Sequence, residues 1–333
     1  MNSVVKFNKA EGPNALALIT EDIPTPSQDE VVVQMKATGL NRSEHMYMSG
    51  VYVIAPEFPS KIGTEGSGII HSLGTNVSDF NIGDEVCITP NILPNEYGVL
   101  GKYMCIPKEA IVLKPKDINF TEAASVWMSL ATAYCALVSN GGLKENTNQT
   151  VVITAASSAI GIAVIQMAKR YGAKVIATSR SSSKDAFLKE NGANAIIHTD
   201  SEDLTEKILE HTNGKGFDIA VDLVLGTFTE KLANAAAQKA TIIAGGILSM
   251  EVPELPFFPL VMKNLKLTSF HVVFHLFRIP DVFEKAKVEI LEGLKNKHYW
   301  PVIDKVFTLE QASEAYRYLE ASMQKGKVVI QIE

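Results

Sequence analysis

Residues Ala155–Gly161, AASSAIG, are where residue type and spacing first suggest chemistry. They follow a strand-like run, Val151–Thr154, and lead into Ile160, Ala163, Val164, Met167 and Ala168, which recur at helical spacing. A turn of this kind can hold a pyrophosphate. The dinucleotide fingerprint uses three glycines, for the tight turn, for close approach to phosphate and for helix–strand packing. Here Gly161 keeps the third place, while Ala156 and Ser158 stand at the first two. Small side chains still admit phosphate to the helix N-terminus, so Ala156, Ser157, Ser158, Ile160 and Gly161 form a candidate cradle. The same pattern also suits a βαβ crossover with no ligand.

A second polar group follows the next apolar strand, Lys174–Thr178. An NAD-preferring site places a carboxylate about 20 residues past the first glycine, on the ribose 2′-hydroxyl. This chain reads Ser179-Arg180-Ser181-Ser182-Ser183-Lys184 there. Arg180 and Lys184 would pair with a 2′-phosphate, and Ser179 could donate to it. NADPH is therefore the expected cofactor, against the plainer reading of a solvated basic loop.

The elements needed to position these residues are legible. Strand-like runs at Val151–Thr154, Lys174–Thr178, Ala195–His198, Ile219–Val224, Thr241–Gly245 and Lys266–Val272 are separated, in the first four intervals, by helical stretches. Those stretches are Gly161–Tyr171, Ser183–Asn191, Glu202–Thr212 and Thr229–Gln238. Such alternation predicts an α/β fold with a doubly wound parallel sheet that binds at the carboxyl ends of its strands. Before it, VVKF, EVVVQMKAT, GSGIIHSLG and DEVCIT read as short strands of a small barrel or sandwich. A helix is predicted over Thr121–Val138, with Thr121 as its cap and Glu122 favouring its first turn. After Pro280 the pattern gives a helix from Asp281, a strand at Val302–Phe307, a helix at Leu309–Ala321 and a strand at Lys327–Ile332. The β content of this tail suggests a return to the first domain.

Composition narrows the classes. The 333 residues allow two cores, and 46% hydrophobic with 20% charged residues is ordinary for a soluble chain. A net charge of −6 without a basic patch argues against nucleic acid. No apolar run reaches the ~20 residues of a membrane span, and the start of the chain lacks a signal-peptide profile. Three cysteines without CxxC spacing point to a reducing compartment, and the expected location is cytoplasmic.

Taken end to end, the chain resembles the medium-chain dehydrogenase/reductases, in their zinc-free quinone reductase and enoyl reductase branch. The resemblance is carried by GLNRSEHMYMSGVY (39–52), GTEGSG (63–68), NIGDEV (81–86), EAASVWMSLATAYCAL (122–137), the AASSAIG turn and the terminal GKVVI. It implies a Rossmann domain over 122–274 and a GroES-like β-barrel domain over 1–121 and 275–333, with reduction in the cleft between them. It also implies a homodimer, with Lys266–Val272 as the pairing edge. Zinc relatives carry metal ligands where this chain has Asn41, Thr64 and Met128, none of them a thiolate, imidazole or carboxylate. No zinc is therefore expected.

Without a Lewis acid, hydrogen-bond donors must stabilise developing negative charge. By the resemblance Tyr52, which follows Gly50-Val51, is the proton donor, and Asn41 bonds the nicotinamide ribose or the substrate. A phenol packed at a loop edge, with water as the proton source, is the other reading of Tyr52. Thr132 and Tyr134 would lie under the nicotinamide, Gly245 and Phe270 on its side, and His198 near the adenosine half. Lys327 either joins the cofactor site or is a surface lysine. The implied activity is NADPH-dependent hydride transfer to a small molecule: a quinone, an enal or enone, or an enoyl thioester. A cofactor-binding sensor or structural protein and a zinc alcohol dehydrogenase are the alternatives.

Overall fold

The computed structural model describes residues 1–321 and 324–333. The chain forms two compact units, one of residues 1–129 with 300–333 and the other of residues 130–299. The family resemblance implies exchanges at 121/122 and 274/275. The difference at the second exchange is a helix, Pro280–Lys295, whose Phe283, Ala286, Ile290 and Leu294 are buried while it packs on elements of the second unit.

The first unit is mostly β. Its strands are β1 (Asn2–Phe7), β2 (Leu16–Glu21), β3 (Glu30–Gly39), β4 (Ser60–Lys61), β5 (Gly66–Leu73), β6 (Glu85–Ile88), β7 (Tyr103–Pro107) and β8 (Ile111–Leu113). One sheet runs β2-β1-β4. The larger sheet runs from β8 through β6 and β5 to β3, which also pairs with β7. The tail completes it. Strand Lys327–Gln331 pairs antiparallel with β3, and Ile303–Thr308 pairs parallel with that tail strand. The GroES-like unit is thus two open sheets rather than one closed barrel. Helix α1 (Arg42–Met48) leaves β3 directly. Val31, Val33, Met35, Ile62, Ile70, Ile88, Tyr316 and Ile330 belong to its core, which explains the alternating apolar pattern of β3.

The helix predicted over Thr121–Val138 is divided. It opens as α2 (Phe120–Ala123), resumes as α3 (Trp127–Tyr134) and widens into a π-helical turn over Cys135–Asn140. Its cap is Asn119 rather than Thr121: Asn119 Oδ1 accepts from Glu122 N at 2.9 Å and Glu122 Oε2 accepts from Asn119 N at 2.8 Å. That reciprocal pair at i and i+3 outcompetes a cap two residues later.

The second unit is a parallel sheet of six strands: β9 (Thr150–Ile153), β10 (Lys174–Ser179), β11 (Ala195–His198), β12 (Phe217–Asp222), β13 (Ala236–Ala244) and β14 (Lys266–Ser269). Their spatial order is β11-β10-β9-β12-β13-β14. Winding therefore reverses between β9 and β12, where a doubly wound sheet opens its crevice. Helices α4 (Ala159–Arg170), α5 (Asp185–Asn191), α6 (Leu204–His211) and α7 (Thr227–Ala235) supply the first four crossovers, as the alternation required. Then come α8 (Phe257–Lys263), α9 (Val272–Arg278) and α10 (Pro280–Lys295), and α11 (Ala312–Glu320) lies in the tail. Two strand predictions were off. β13 begins at Ala236, inside the predicted helix, because α7 stops at Ala235. β14 ends at Ser269, because His271 caps α9 and turns Val272 into helix.

Candidate active site

The turn after β9 is a tight strand-to-helix connection. Ala155 takes the left-handed conformation, φ 49°, and Ser158 caps α4 by accepting from Gly161 N at 3.1 Å. A Cβ at Gly161 would lie 2.4 Å from the Ala156 carbonyl oxygen. Gly161 therefore performs the packing duty of the third fingerprint glycine, while Ala156 is fully buried beneath the turn. Ile160 lies in the first turn of α4.

Residues after β10 converge on this turn. Lys184 Nζ donates to Ser157 Oγ at 2.9 Å, so the basic loop is tied to the cradle. Ser179 closes β10 in register with His198 at the end of β11, which brings those two predicted residues side by side. Ser179 Oγ donates to Ser181 O at 3.0 Å, and the Ser181 and Ser183 hydroxyls meet at 3.1 Å. Arg180 lies beyond the strand end in the same loop. The nearby carboxylates face His198, whose Nε2 is 2.9 Å from Asp185 Oδ1 and whose backbone N donates to Glu202 at 2.6 Å. A group carrying a pyrophosphate and a further phosphate fits these residues: backbone amides at the turn, a lysine on it, and no acidic side chain closing β10.

At the switch point, Asp222 is fully buried at the end of β12. Its Oδ1 accepts from Thr154 Oγ1 at 2.9 Å, Val224 N at 3.0 Å and Leu225 N at 3.1 Å, and Oδ2 accepts from Thr229 Oγ1 at 3.2 Å. Gly245 follows β13 and donates its N–H to Asp222 O at 2.8 Å. Phe270 follows β14, in the bend before α9, and Thr132 is buried within α3. In the sequence Asp222 is marked only by its place as an aspartate at the end of an apolar strand.

In the first unit, Asn41, Lys327, Glu65, Thr64, Glu44 and Tyr316 form one buried polar cluster. Lys327 Nζ donates to Asn41 Oδ1 at 2.7 Å and is ion-paired with Glu65. Asn41 Nδ2 donates to Thr64 Oγ1 and to Glu65 Oε1, both at 3.2 Å. Glu65 Oε2 accepts the backbone N–H of Met128 at 2.9 Å. Glu44 accepts from Asn41 N at 2.9 Å, Thr64 Oγ1 at 2.7 Å and the Tyr316 phenol at 2.8 Å. Burial pushes the Glu44 carboxyl up, against those donors and the Lys327 charge. Lys327 is therefore not a surface lysine. The spacing Asn41-x-x-Glu44 is a capping signature that went unread in the sequence.

Tyr52 lies half-buried in the loop after α1, its ring edge-on to Tyr47 with centroids 6.5 Å apart. Burial pushes its phenol up to about 12, and a hydrogen bond with Ser43 of α1 opposes the rise. All three cysteines are free, and burial pushes the thiols of Cys87, Cys105 and Cys135 up to about 12. They offer no thiolate at neutral pH.

Comparison with known proteins places this geometry. A profile described as "Alcohol dehydrogenase GroES-like domain" matches residues 27–116, and one described as "Zinc-binding dehydrogenase" matches residues 159–287. A "Quinone oxidoreductase-like protein 2 homolog" of Nematostella vectensis is 31% identical over 313 residues, covering 93% of this chain and 83% of the relative. The chain is a medium-chain dehydrogenase/reductase of the quinone oxidoreductase-like branch. Among solved structures, the Escherichia coli quinone oxidoreductase complexed with NADPH has a TM-score of 0.90, 24% identity and coverage of 99% of both chains. An NAD-dependent alcohol dehydrogenase structure has a TM-score of 0.87 and 28% identity, covering both chains fully.

This medium-chain dehydrogenase/reductase does not fit the zinc implied by the second profile's description. At the expected ligand positions stand an amide, a hydroxyl and a thioether, and the amide and hydroxyl bond each other beside the Lys327 ammonium. Among the described residues no three His, Cys, Asp or Glu side chains cluster so as to hold a metal, and no helix is long and apolar enough to cross a membrane.

Proposed function

We propose that this medium-chain dehydrogenase/reductase is a zinc-independent, NADPH-dependent reductase of a quinone or an α,β-unsaturated carbonyl. The observation that carries the cofactor reading is the pairing of the Ser158-capped turn with a basic loop, joined by Lys184 on Ser157. Ser157, Ser158 and Ile160, packed over the buried Ala156 and Gly161 whose N–H groups are engaged within the turn, hold the pyrophosphate, and Ser179, Arg180 and Lys184 hold the 2′-phosphate. His198 borders the adenosine half, and Thr132, Gly245 and Phe270 border the nicotinamide. When bound, the nicotinamide supplies a hydride.

Reduction of an enone adds that hydride at the β-carbon and needs a proton at the α-carbon. A quinone takes up its proton on oxygen. Tyr52 is suited to the donor's part because its phenol is protonated at neutral pH and its hydrogen bond with Ser43 favours the phenolate left behind, offsetting part of the rise that burial imposes. The chain's own contribution is thus to hold the proton at the Tyr52 oxygen and to orient that oxygen through α1. In this reading Asn41 orients its surroundings more than it meets the ligand, because both ends of its amide are engaged within the protein.

A homodimer belongs to the same reading. β14 ends the sheet order, and Phe257, Phe258, Val261 and Met262 of the adjoining α8 are exposed. An open edge beside apolar surface favours pairing with a second copy.

The deciding experiment follows NADPH oxidation with quinones, enals or enones, and enoyl thioesters in parallel. Turnover with at least one class is expected. NADPH binding without oxidation by any of them would replace this reading with that of a cofactor-binding sensor or structural protein.

A further inference from the structure

We propose that the buried Lys327–Glu65 pair is a positioning device that sets the direction of the Asn41 amide and, through α1, the aim of the Tyr52 phenol. The proposal rests on the reductase reading above for the role of Tyr52.

Both charges are almost completely inaccessible, with Lys327 2% exposed and Glu65 0% exposed. Burying opposite charges costs solvation that their attraction does not reliably return, so a buried pair is weak evidence for stability. Its geometry points to orientation instead. The carboxylate and ammonium lie on opposite ends of one amide: Lys327 Nζ meets Asn41 Oδ1, and Glu65 Oε1 meets Asn41 Nδ2. Thr64 Oγ1 reinforces the second contact. Turning the amide over would set its NH2 against the ammonium and its carbonyl against the carboxylate oxygen. One orientation is allowed.

That orientation is passed on by short links. Asn41 is the residue at which α1 begins, and its backbone N–H is held by Glu44 from the first turn. Glu44 is itself held by Thr64 and Tyr316, so the turn is clamped from two other elements. Tyr47, on the same helix, packs edge-on against Tyr52 with ring centroids 6.5 Å apart, and Ser43 in the helix's first turn is a hydrogen-bond partner of the phenol. The chain of contacts therefore runs from Lys327 to Asn41, to the first turn of α1, to Ser43 and then to Tyr52. Lys327 comes from the tail strand at the far end of the sequence.

The test uses the full chain with NADPH and the best quinone or enone acceptor. Variants are Lys327→Met, Lys327→Arg, Lys327→Met/Glu65→Leu, and each of these combined with Tyr52→Phe. Lys327→Met should lower kcat about tenfold or more while leaving the NADPH dissociation constant within about twofold. The Met/Leu double variant removes the unpaired charge and should regain thermal stability without regaining kcat. In the Tyr52→Phe background the same changes should have little further effect on kcat, because two residues acting through one route are not additive.

Three results overturn the proposal: recovery of kcat together with stability in the double variant, an equal loss of kcat with and without Tyr52, or a loss of NADPH affinity parallel to kcat. The last would make Lys327 a direct cofactor contact. An unchanged kcat in Tyr52→Phe alone overturns the proton-donor reading, which the Lys327 variants then do not share in deciding.

Discussion

Thr154 Oγ1 donates to Asp222 Oδ1 at 2.9 Å, joining the carboxyl ends of β9 and β12 where the winding of the sheet reverses. The same aspartate holds Val224 and Leu225, and Leu225 takes a left-handed conformation, φ 61°. One buried side chain thus sets the loop on one side of the switch point and grips the strand on the other.

Replacing Asp222 by Ala would leave four donors without their acceptor. Asp222→Ala should cost about 3 kcal/mol or more in urea unfolding, and Asp222→Asn less, since one oxygen remains. NADPH affinity should fall in both. Wild-type affinity in a folded Asp222→Ala protein would show that the loop does not depend on this anchor.

Gly161 can be tested by its packing. The added methyl of Gly161→Ala meets the Ala156 carbonyl at 2.4 Å, so the turn must shift. A loss of about 1–3 kcal/mol is expected by thermal or urea unfolding, with a larger loss of cofactor affinity than of affinity for the acceptor substrate.

Arg180 should act on cofactor choice and not on turnover. Removing one charged contact to a phosphate costs about 1.5–3 kcal/mol, so Arg180→Ala should weaken NADPH by roughly tenfold or more and leave NADH nearly unchanged. Dissociation constants for both cofactors decide this, and equal losses would remove the 2′-phosphate assignment.

Tyr52→Phe should lower turnover about 100-fold, within the range of general acid catalysis, while NADPH affinity stays close to wild type. Single-turnover kinetics under saturating cofactor measure the step directly. Turnover equal to wild type would leave water as the proton source.

Alkaline stability follows from the same phenol. An unfolded tyrosine titrates near ~10, whereas burial holds Tyr52 at about 12. Between those values the folded state binds more protons than the unfolded state, so stability is fully present below pH ~10 and falls as pH rises toward 12. Burial also raises Tyr47, in the same direction. The urea midpoint should therefore begin to fall above pH ~8.5, where the three thiols titrate in the unfolded chain, and fall more steeply above pH ~10, where Tyr52→Phe declines less than wild type.

Local pattern carried much of the second unit. Period and composition located its strands and helices, because a parallel strand covered on both faces must be apolar and a crossover helix must show one apolar stripe. The misread ends have local causes that propensity does not rank: the Asn119–Glu122 box displaced Thr121 as cap, and the His271 cap stopped β14 before Val272. The AASSAIG turn was legible too, since Gly161 and Ser158 act within seven residues of one another.

By itself, then, the amino-acid sequence determined the two-unit α/β organisation, the tight turn between β9 and α4 and the family resemblance, all of which rest on interactions between near neighbours or on motifs in order. Only the tertiary structure decided what Asn41, Lys327 and Glu65 bond to. Asn41 and Lys327 are 286 residues apart, and they meet because the tail strand pairs with β3, which ends just before Asn41. Whether a lysine is a solvated surface charge or a buried ion-pair partner depends on which carboxylate a distant strand brings to it, and neither spacing nor composition records that.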